Sequence, residues 1–367
     1  MTLSVKRIGI IGLGLIGGSI ARALKRNDKD YIIKAWDRDK KNLELGLSEK
    51  VIDEHTISLN EDFLDCDVIF LCIPVYAMRD ILNELLSGIS PDCVLTDVGS
   101  TKSDVVDLIN EMKVKNPFIG GHPLAGSEKS GFTASRANLF ENAYYCLTPS
   151  ENTGKDSLEM LRDIVIDLGA IPIEMTPAEH DRVTAAISHV PHVIAASLVN
   201  LIDELDSPDN IMKTISAGGF KDLTRIASSS PSLWAGICLS NRDKILETIE
   251  SFIERLKCFE EDLKIKNKES IEEFFSSARD IRNALSERRS IFQKTYSILV
   301  DVDDRPGIIA LVASALAKEN INIKNIGILN SRETEDGALE IQVESEESRL
   351  RSIEILSSMG YRTKQKH

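Results

Sequence analysis

The chain has 367 residues, 42% hydrophobic and 28% charged, which fits a soluble protein of two or three domains, each able to bury its own core. A formal net charge of −14 argues against nucleic acid and anionic membrane as partners, since both need a basic surface, but it leaves room for a small anion held by local cations. No uninterrupted apolar run approaches the ~20 residues of a membrane span and no basic leader precedes the first strand, so the expected location is the cytoplasm.

Residues 6–12 (Lys-Arg-Ile-Gly-Ile-Ile-Gly) predict a strand that runs into Gly12-Leu13-Gly14-Leu15-Ile16-Gly17. A helix over 17–26 and a strand over 32–36 complete a β-α-β unit closed by Asp37, twenty residues after Gly17. In such a unit Gly12 permits the tight turn, Gly14 lets backbone approach a pyrophosphate and Gly17 allows close helix packing. The helix N-terminus then receives the phosphates, with Leu13, Leu15 and Ile16 around them. Asp37 is suited to the adenosine ribose hydroxyls and repels a 2′-phosphate, which favours NAD over NADP, although Arg38 beside it keeps NADP open.

Further strands are predicted over 68–73, 94–97, 118–120 and 143–147, alternating with helices as a doubly wound sheet requires. Ligands of such sheets lie outside the carboxyl ends of the strands, which here carry Cys72-Ile73-Pro74, Asp97-Val98-Gly99-Ser100 and Gly121-His122. Ile73 and Pro74 are therefore cofactor contacts. The stretch 120–131, Gly-Gly-His-Pro-Leu-Ala-Gly-Ser-Glu-Lys-Ser-Gly, reads as a working loop in which His122, Ser127, Glu128 and Lys129 offer proton transfer, hydrogen bonds and charge. His122 at a strand end belongs beside the nicotinamide.

From Pro177 to about Arg289 the pattern becomes helical, with apolar residues at three- and four-residue spacing over 183–205 and 242–265. So many apolar faces in ~110 residues imply burial against a second subunit. The charged stretch 260–289 reads as a solvated helix face and linker. Three clusters stand out: Ser188-His189-Val190-Pro191-His192 on a helix kinked by Pro191, Gly218-Gly219-Phe220-Lys221-Asp222-Leu223-Thr224-Arg225, and, more weakly, His180 in Pro-Ala-Glu-His-Asp. Paired histidines are as consistent with core or capping positions, and Lys221 with Arg225 is as consistent with a solvated face. No third ligand at metal spacing accompanies the histidines, so no metal is expected. The six cysteines (Cys66, Cys72, Cys93, Cys146, Cys238, Cys258) form no Cys-x-x-Cys pair and read as reduced and structural.

From Tyr296 the order strand, helix, strand, strand, helix, strand predicts a ferredoxin-like module, with Asp304-Arg305-Pro306-Gly307 turning between the first strand and helix. The expected organisation is an α/β chain: a Rossmann domain at 1–175, an all-helical substrate and dimerisation domain at 176–289, and the ferredoxin-like domain at 295–367.

Taken together, Gly-Leu-Gly-Leu-Ile-Gly, Asp97-Val-Gly-Ser-Thr-Lys102, Gly-Gly-His-Pro-Leu-Ala-Gly-Ser-Glu-Lys-Ser-Gly, Ser188-His-Val-Pro-His192 and Gly-Gly-Phe-Lys-Asp-Leu-Thr-Arg225 resemble the prephenate dehydrogenase family, with its arogenate and cyclohexadienyl relatives. The match covers residues 6 to about 285, and the tail resembles the ACT domain, an amino-acid-sensing module. The resemblance implies NAD-dependent oxidative decarboxylation of prephenate to 4-hydroxyphenylpyruvate by a homodimer, with L-tyrosine as effector. It implies that His122 is the catalytic histidine, that Ser100 orients it on the nicotinamide side, and that Arg225 binds a substrate carboxylate. His192 and Lys221 would add substrate contacts, and Ser127 with Glu128 would stand at the mouth of the site. Two other classes share parts of the pattern. A β-hydroxyacid-type dehydrogenase would use a catalytic lysine on a helix and leave the Gly-Gly-His-Pro segment unexplained. A catalytically silent sensor would have little use for His122, Ser100 and Arg225 together.

Overall fold

The computed structural model describes residues 6–26, 30–59, 62–127, 129–288, 296–303, 305–329, 337–343 and 345–366. They fall into two compact units, 1–256 and 257–367. The first opens with β1 (Lys6–Ile11), α1 (Leu15–Arg26), β2 (Tyr31–Trp36), α2 (Lys40–Ser48), β3 (Glu54–Thr56) and β4 (Val68–Leu71). There follow α3 (Met78–Leu85), β5 (Val94–Asp97), α4 (Ser103–Glu111), β6 (Phe118–Pro123), β7 (Tyr144–Pro149), α5 (Lys155–Asp167) and β8 (Ile171–Glu174). The eight strands form one sheet in the order β3-β2-β1-β4-β5-β6-β7-β8. The chain reverses its direction of winding at β1, between β2 and β4, and this switch point is where an open α/β sheet binds its ligand.

Alternation along the strands explains the two layers. Ile8 and Ile10 of β1 and Val68 and Phe70 of β4 join the core on one face, while Ile11, Ile69 and Leu71 join Phe63, Leu82 and Phe118 on the other. Strands buried on both faces read as near-continuous apolar runs, as these do. The doubly wound sheet is as expected except at one edge. There β6 and β7 pair antiparallel, with His122 opposite Cys146, and β8 then runs parallel to β7. His122 consequently lies inside β6, on a paired strand, whereas the sequence placed it in a loop beginning at Gly120.

The helical part follows as α6 (Pro177–Thr184), α7 (Val190–Leu205), α8 (Ile211–Ile215), α9 (Gly218–Thr224), α10 (Pro231–Ser240) and α11 (Arg242–Lys264). Thr176 caps α6 in a reciprocal box with Glu179, and Pro177 occupies the first turn, where its missing N–H is harmless. Between α6 and α7 the backbone widens into a π turn, Ala185–His189, and Pro191 stands in the first turn of α7. Where the sequence suggested a kink at Pro191, the irregularity is a π turn just before it, and the proline falls in a first turn, where its missing N–H costs least.

The helical run Pro177–Leu205 spans 29 residues and, contrary to the sequence expectation, is long and apolar enough to cross a membrane by length and composition. Only 22% of its most apolar window is buried within the chain. Leu201 and Leu205 on α7, Leu233 and Leu239 on α10, and Leu246 and Ile253 on α11 are exposed.

In the second unit, α12 (Lys268–Arg288) packs Phe274 and Phe275 against Phe259 of α11. The charged stretch from 260 therefore has an aromatic seam as well as a solvated face. Beyond it come β9 (Tyr296–Val302), α13 (Ile308–Lys318), β10 (Ile323–Leu329), β11 (Gly337–Val343), α14 (Glu346–Ser358) and β12 (Arg362–Lys366), in a sheet ordered β10-β11-β9-β12. This is the ferredoxin-like arrangement, with Ile298, Val300, Val312, Leu316, Ile341 and Leu356 at its core. Of the expected turn, Asp304 lies outside the described residues, and Gly307 takes the left-handed φ of +88° that starts α13.

Candidate active site

The crevice at the switch point has the shape a dinucleotide needs. Gly12 has a φ of +99°, and a Cβ there would stand 2.5 Å from the Cys72 carbonyl oxygen. A Cβ on Gly17 would stand 2.1 Å from the Gly12 oxygen, so α1 can seat against the turn only with glycine at that position. Gly14, in contrast, faces open space, which is the approach a pyrophosphate requires. Asp37 lies just past β2 and does double work, because its Oδ2 accepts the Leu13 amide at 2.6 Å while its Oδ1 accepts the Asp39 amide at 2.7 Å. The carboxylate thus braces the glycine turn and still has lone pairs for ribose hydroxyls. Ile73 and Pro74 follow β4, and a Cβ on Gly12 would also touch the Ile73 side chain.

At the next strand end the buried Asp97 carboxylate ties three segments together. Its Oδ2 accepts the Gly99 amide at 2.7 Å and pairs with the buried Lys102 ammonium, and its Oδ1 accepts the Gly121 amide at 3.1 Å. Burial pulls the Lys102 ammonium below its ordinary value, and Asp97 opposes that fall. His122 is set by this knot at the residue before it and by strand pairing.

Two further side chains extend in line from His122. Its Nδ1 lies 2.7 Å from Nε2 of His180, and His180 Nδ1 lies 2.8 Å from Oδ1 of Asp181. Asp181 also accepts the Lys102 amide (2.8 Å) and the Ser103 amide (2.8 Å), so it caps α4 from outside that helix. Burial pushes the Asp181 carboxyl up, but the bonds from His180, Ser103 and Lys102 outweigh it and hold the group ionised. Burial, helped by His180, Lys102 and His189, keeps the His122 imidazole well below its ordinary value and therefore neutral at pH 7.

His180 was the weakest of the sequence candidates and Asp181 was not one. The signal that could have found them is the His-Asp pair in the first turns of a helix that starts at Thr176-Pro177. Ser100 is half-buried, and among the described residues no hydrogen bond joins it to His122; the bond expected from Ser100 comes from His180.

On the helical side, His192 Nδ1 donates to the Ser188 carbonyl at 2.9 Å, and the ring stacks on Trp234 with centroids 3.7 Å apart. Trp234, on α10, carried no motif of its own. Burial first, and the nearby Arg225 guanidinium second, lower the His192 imidazole, which places Arg225 within electrostatic reach of His192. Lys221 lies exposed one turn before Arg225. His189 is buried and bridged through Asn241, whose Nδ2 donates to His189 Nδ1 (3.1 Å) and to the Asp181 carbonyl (2.8 Å). Its Nε2 and the Tyr145 hydroxyl are buried without a hydrogen-bond partner among the described residues. Ser127 Oγ accepts the Lys129 amide at 3.2 Å, a bond local to its turn, and Glu128 lies outside the described residues. All six cysteines are free thiols, and burial pushes that of Cys146 up to about 11. No group of three or more metal-ligating side chains occurs among the described residues.

A dinucleotide crevice beside a neutral, strand-held histidine defines the class: a Rossmann oxidoreductase. Residues 20–174 match the family model of the prephenate dehydrogenase nucleotide-binding domain, residues 176–277 that of the prephenate dehydrogenase dimerization domain, and residues 296–354 the ACT domain. A prephenate dehydrogenase of Bacillus subtilis is 39% identical over 352 residues, 95% of each chain. Among solved structures, Aquifex aeolicus prephenate dehydrogenase in complex with hydroxyphenyl propionate and NAD+ is 34% identical with a TM-score of 0.72, covering 78% of this chain and all of that one. Synechocystis arogenate dehydrogenase is 28% identical with a TM-score of 0.69, covering 76% of this chain and 99% of that one. The chain belongs to the prephenate dehydrogenase family. It is an NAD-dependent oxidoreductase with a C-terminal ACT domain, as the five motifs and the tail implied.

Proposed function

We propose that the enzyme oxidises prephenate, with loss of CO2, to 4-hydroxyphenylpyruvate, and that its ACT domain makes it sensitive to L-tyrosine. The observation that carries the reading is a neutral His122 fixed at the end of β6, on the sheet edge that also presents the glycine turn. Bound NAD supplies the acceptor for the hydride leaving the ring carbon that bears the hydroxyl. His122 accepts a hydrogen bond from that hydroxyl, takes its proton as charge develops, and returns it to the phenolate once CO2 has left. Gly12, Gly14, Gly17, Asp37, Ile73 and Pro74 hold the dinucleotide, and Ser100 lies on the nicotinamide side. Arg225 forks onto a substrate carboxylate, His192 and Lys221 extend that contact, and Ser127 with Glu128 guards the mouth.

The exposed apolar faces of α7, α10 and α11, in the stretch that matches a dimerization domain, favour a homodimer, which also accounts for the membrane-length run without a membrane. A soluble cytoplasmic enzyme is the reading consistent with that assignment.

The deciding experiment follows NAD reduction by the purified full-length chain with prephenate and with arogenate in parallel. Prephenate turnover well above arogenate supports the proposal; the reverse makes the enzyme an arogenate dehydrogenase, like its Synechocystis neighbour.

A further inference from the structure

We infer that His180, backed by Asp181, is a positioning residue that fixes the tautomer of His122 and shares the charge His122 acquires during turnover. The inference rests on the reading of His122 as the base and deepens it. The argument is one of hydrogen counting. An ionised carboxylate only accepts, so the 2.8 Å contact between Asp181 Oδ1 and His180 Nδ1 requires a proton on that nitrogen. We take His180 as the neutral imidazole in this arrangement, which puts its lone pair on Nε2. The 2.7 Å contact from there to His122 Nδ1 contains one hydrogen, which His122 must supply. His122 is left with its lone pair on Nε2, the far edge of the ring, and that is the form a base needs.

Four observations make this more than a chance pair of rings. His180 is fully buried and Asp181 nearly so. Asp181 is held on both oxygens by the first amides of α4, so the end of the chain cannot swing away. Asn241 clamps the Asp181 carbonyl from the α10–α11 junction. Finally, the ring centroids lie 5.0 Å apart with the planes crossed at 66°, so the rings meet through their nitrogens and do not stack. Once His122 takes a proton, its Nδ1–H bond to His180 leads through imidazole to a carboxylate, the same logic by which a buried acid orients and stabilises a catalytic histidine. The other titratable groups around His122 are Lys102 ahead of α4, Asp97 at the end of β5, His189 in the π turn, and Tyr145 and Cys146 on β7. Lys102 and His189, and the His180 ring itself, oppose a positive charge on His122, so the stabilising partner at the end of this line is the Asp181 carboxylate, reached through His180.

The test uses the full-length enzyme. With six histidines in the chain, 15N-histidine labelling resolves individual rings, His122 being assigned by its loss in His122→Asn. In the unaltered protein His122 should show a protonated Nδ1 and an unprotonated Nε2, and in His180→Ala the two tautomers should mix. Kinetically, His180→Ala should lower kcat roughly ten- to a hundred-fold while KM for both substrates stays within about three-fold. His180→Gln, which keeps an acceptor near the Nε2 position, should recover most of that loss. A protonated Nε2 on His122 in the unaltered enzyme overturns the inference, as does a folded His180→Ala with full kcat. Equal losses in the alanine and glutamine variants, with His122 unchanged in its spectrum, reduce His180 to a packing residue and also overturn it. Should His180→Ala fail to fold, the spectrum of the unaltered enzyme and the glutamine variant still decide. Full kcat in His122→Asn would instead remove the base assignment, a failure separable from this one.

Discussion

At the scale of single residues the proposed site divides its labour between a neutral imidazole and a cation. His122 is kept neutral by burial and by neighbouring His180, Lys102 and His189, so in the free enzyme it can accept a proton down to pH values below the ordinary imidazole range. The acid limb of kcat/KM that belongs to His122 should therefore fall clearly below pH 6.5; a limb at or above 6.5 would show that another group governs it. Replacing His122 with Asn should lower kcat by roughly 10² to 10⁴ with NAD affinity unchanged, measured by steady-state kinetics and by direct NAD titration. In the proposed reaction Arg225 acts on the other side, at a substrate carboxylate. Its loss to Ala should raise KM for prephenate by roughly ten- to a few-hundred-fold, as expected for a charge-assisted bond worth about 1.5 to 3 kcal/mol. Damage to kcat at constant KM would move Arg225 out of substrate binding.

Secondary-structure elements set how far those residues can be trusted to stay in place. The glycine turn, Asp37 and the strand-end motifs were legible in sequence because each is a local pattern whose spacing carries its geometry. The place of His122 inside β6 was not, because glycine-glycine suggests a loop and the antiparallel partner β7 lies more than twenty residues further on. The link from His180 and Asp181 to the base was hidden for a related reason, although His180 itself stood out weakly: their partners are 58 and 79 residues away, at His122 and Lys102. The π turn Ala185–His189 could not be foreseen from Pro191, which signals only that the regular bonding pattern changes nearby.

That turn also makes a measurable demand on pH. Burial, the largest cause, lowers the His189 imidazole to about 4, so between pH 6.5 and 4 the unfolded chain binds a proton the folded one refuses. Stability from this group is intact above 6.5 and is lost as pH falls through about 4, on the order of 3 kcal/mol at the acid end. Thermal midpoints recorded from pH 7 to pH 4 should fall, and less steeply in His189→Gln. Asp181, whose carboxyl is held below its usual range, adds its own loss only at more acidic pH.

For the whole molecule, the exposed leucines and isoleucines of α7, α10 and α11 are more apolar surface than a monomer usually leaves in water. Light scattering should give a dimer, and Leu201→Glu with Leu205→Glu should shift it toward monomer; an unchanged mass would place the interface elsewhere. The proposed regulation is tested separately, on the second unit. L-tyrosine should inhibit NADH formation by the full chain and not by a chain ending near residue 288, whereas equal behaviour of the two would leave the ACT domain without that role.

The capping of α4 by Asp181 has a mechanical consequence. One carboxylate is a rivet between the nucleotide-binding sheet, through α4, and the first helix of the substrate side, α6. A second link, from Thr101 Oγ1 to Ser240 Oγ at 2.8 Å, lies at the same seam. The two halves of the site cannot hinge apart there without unseating the base, so any opening that admits substrate must be carried by α8, α9 and the chain around Arg225. Backbone amide exchange should accordingly be slow at Lys102 and Ser103 and fast through residues 211–228, which would make the Arg225 side the moving jaw and His122 the fixed anvil.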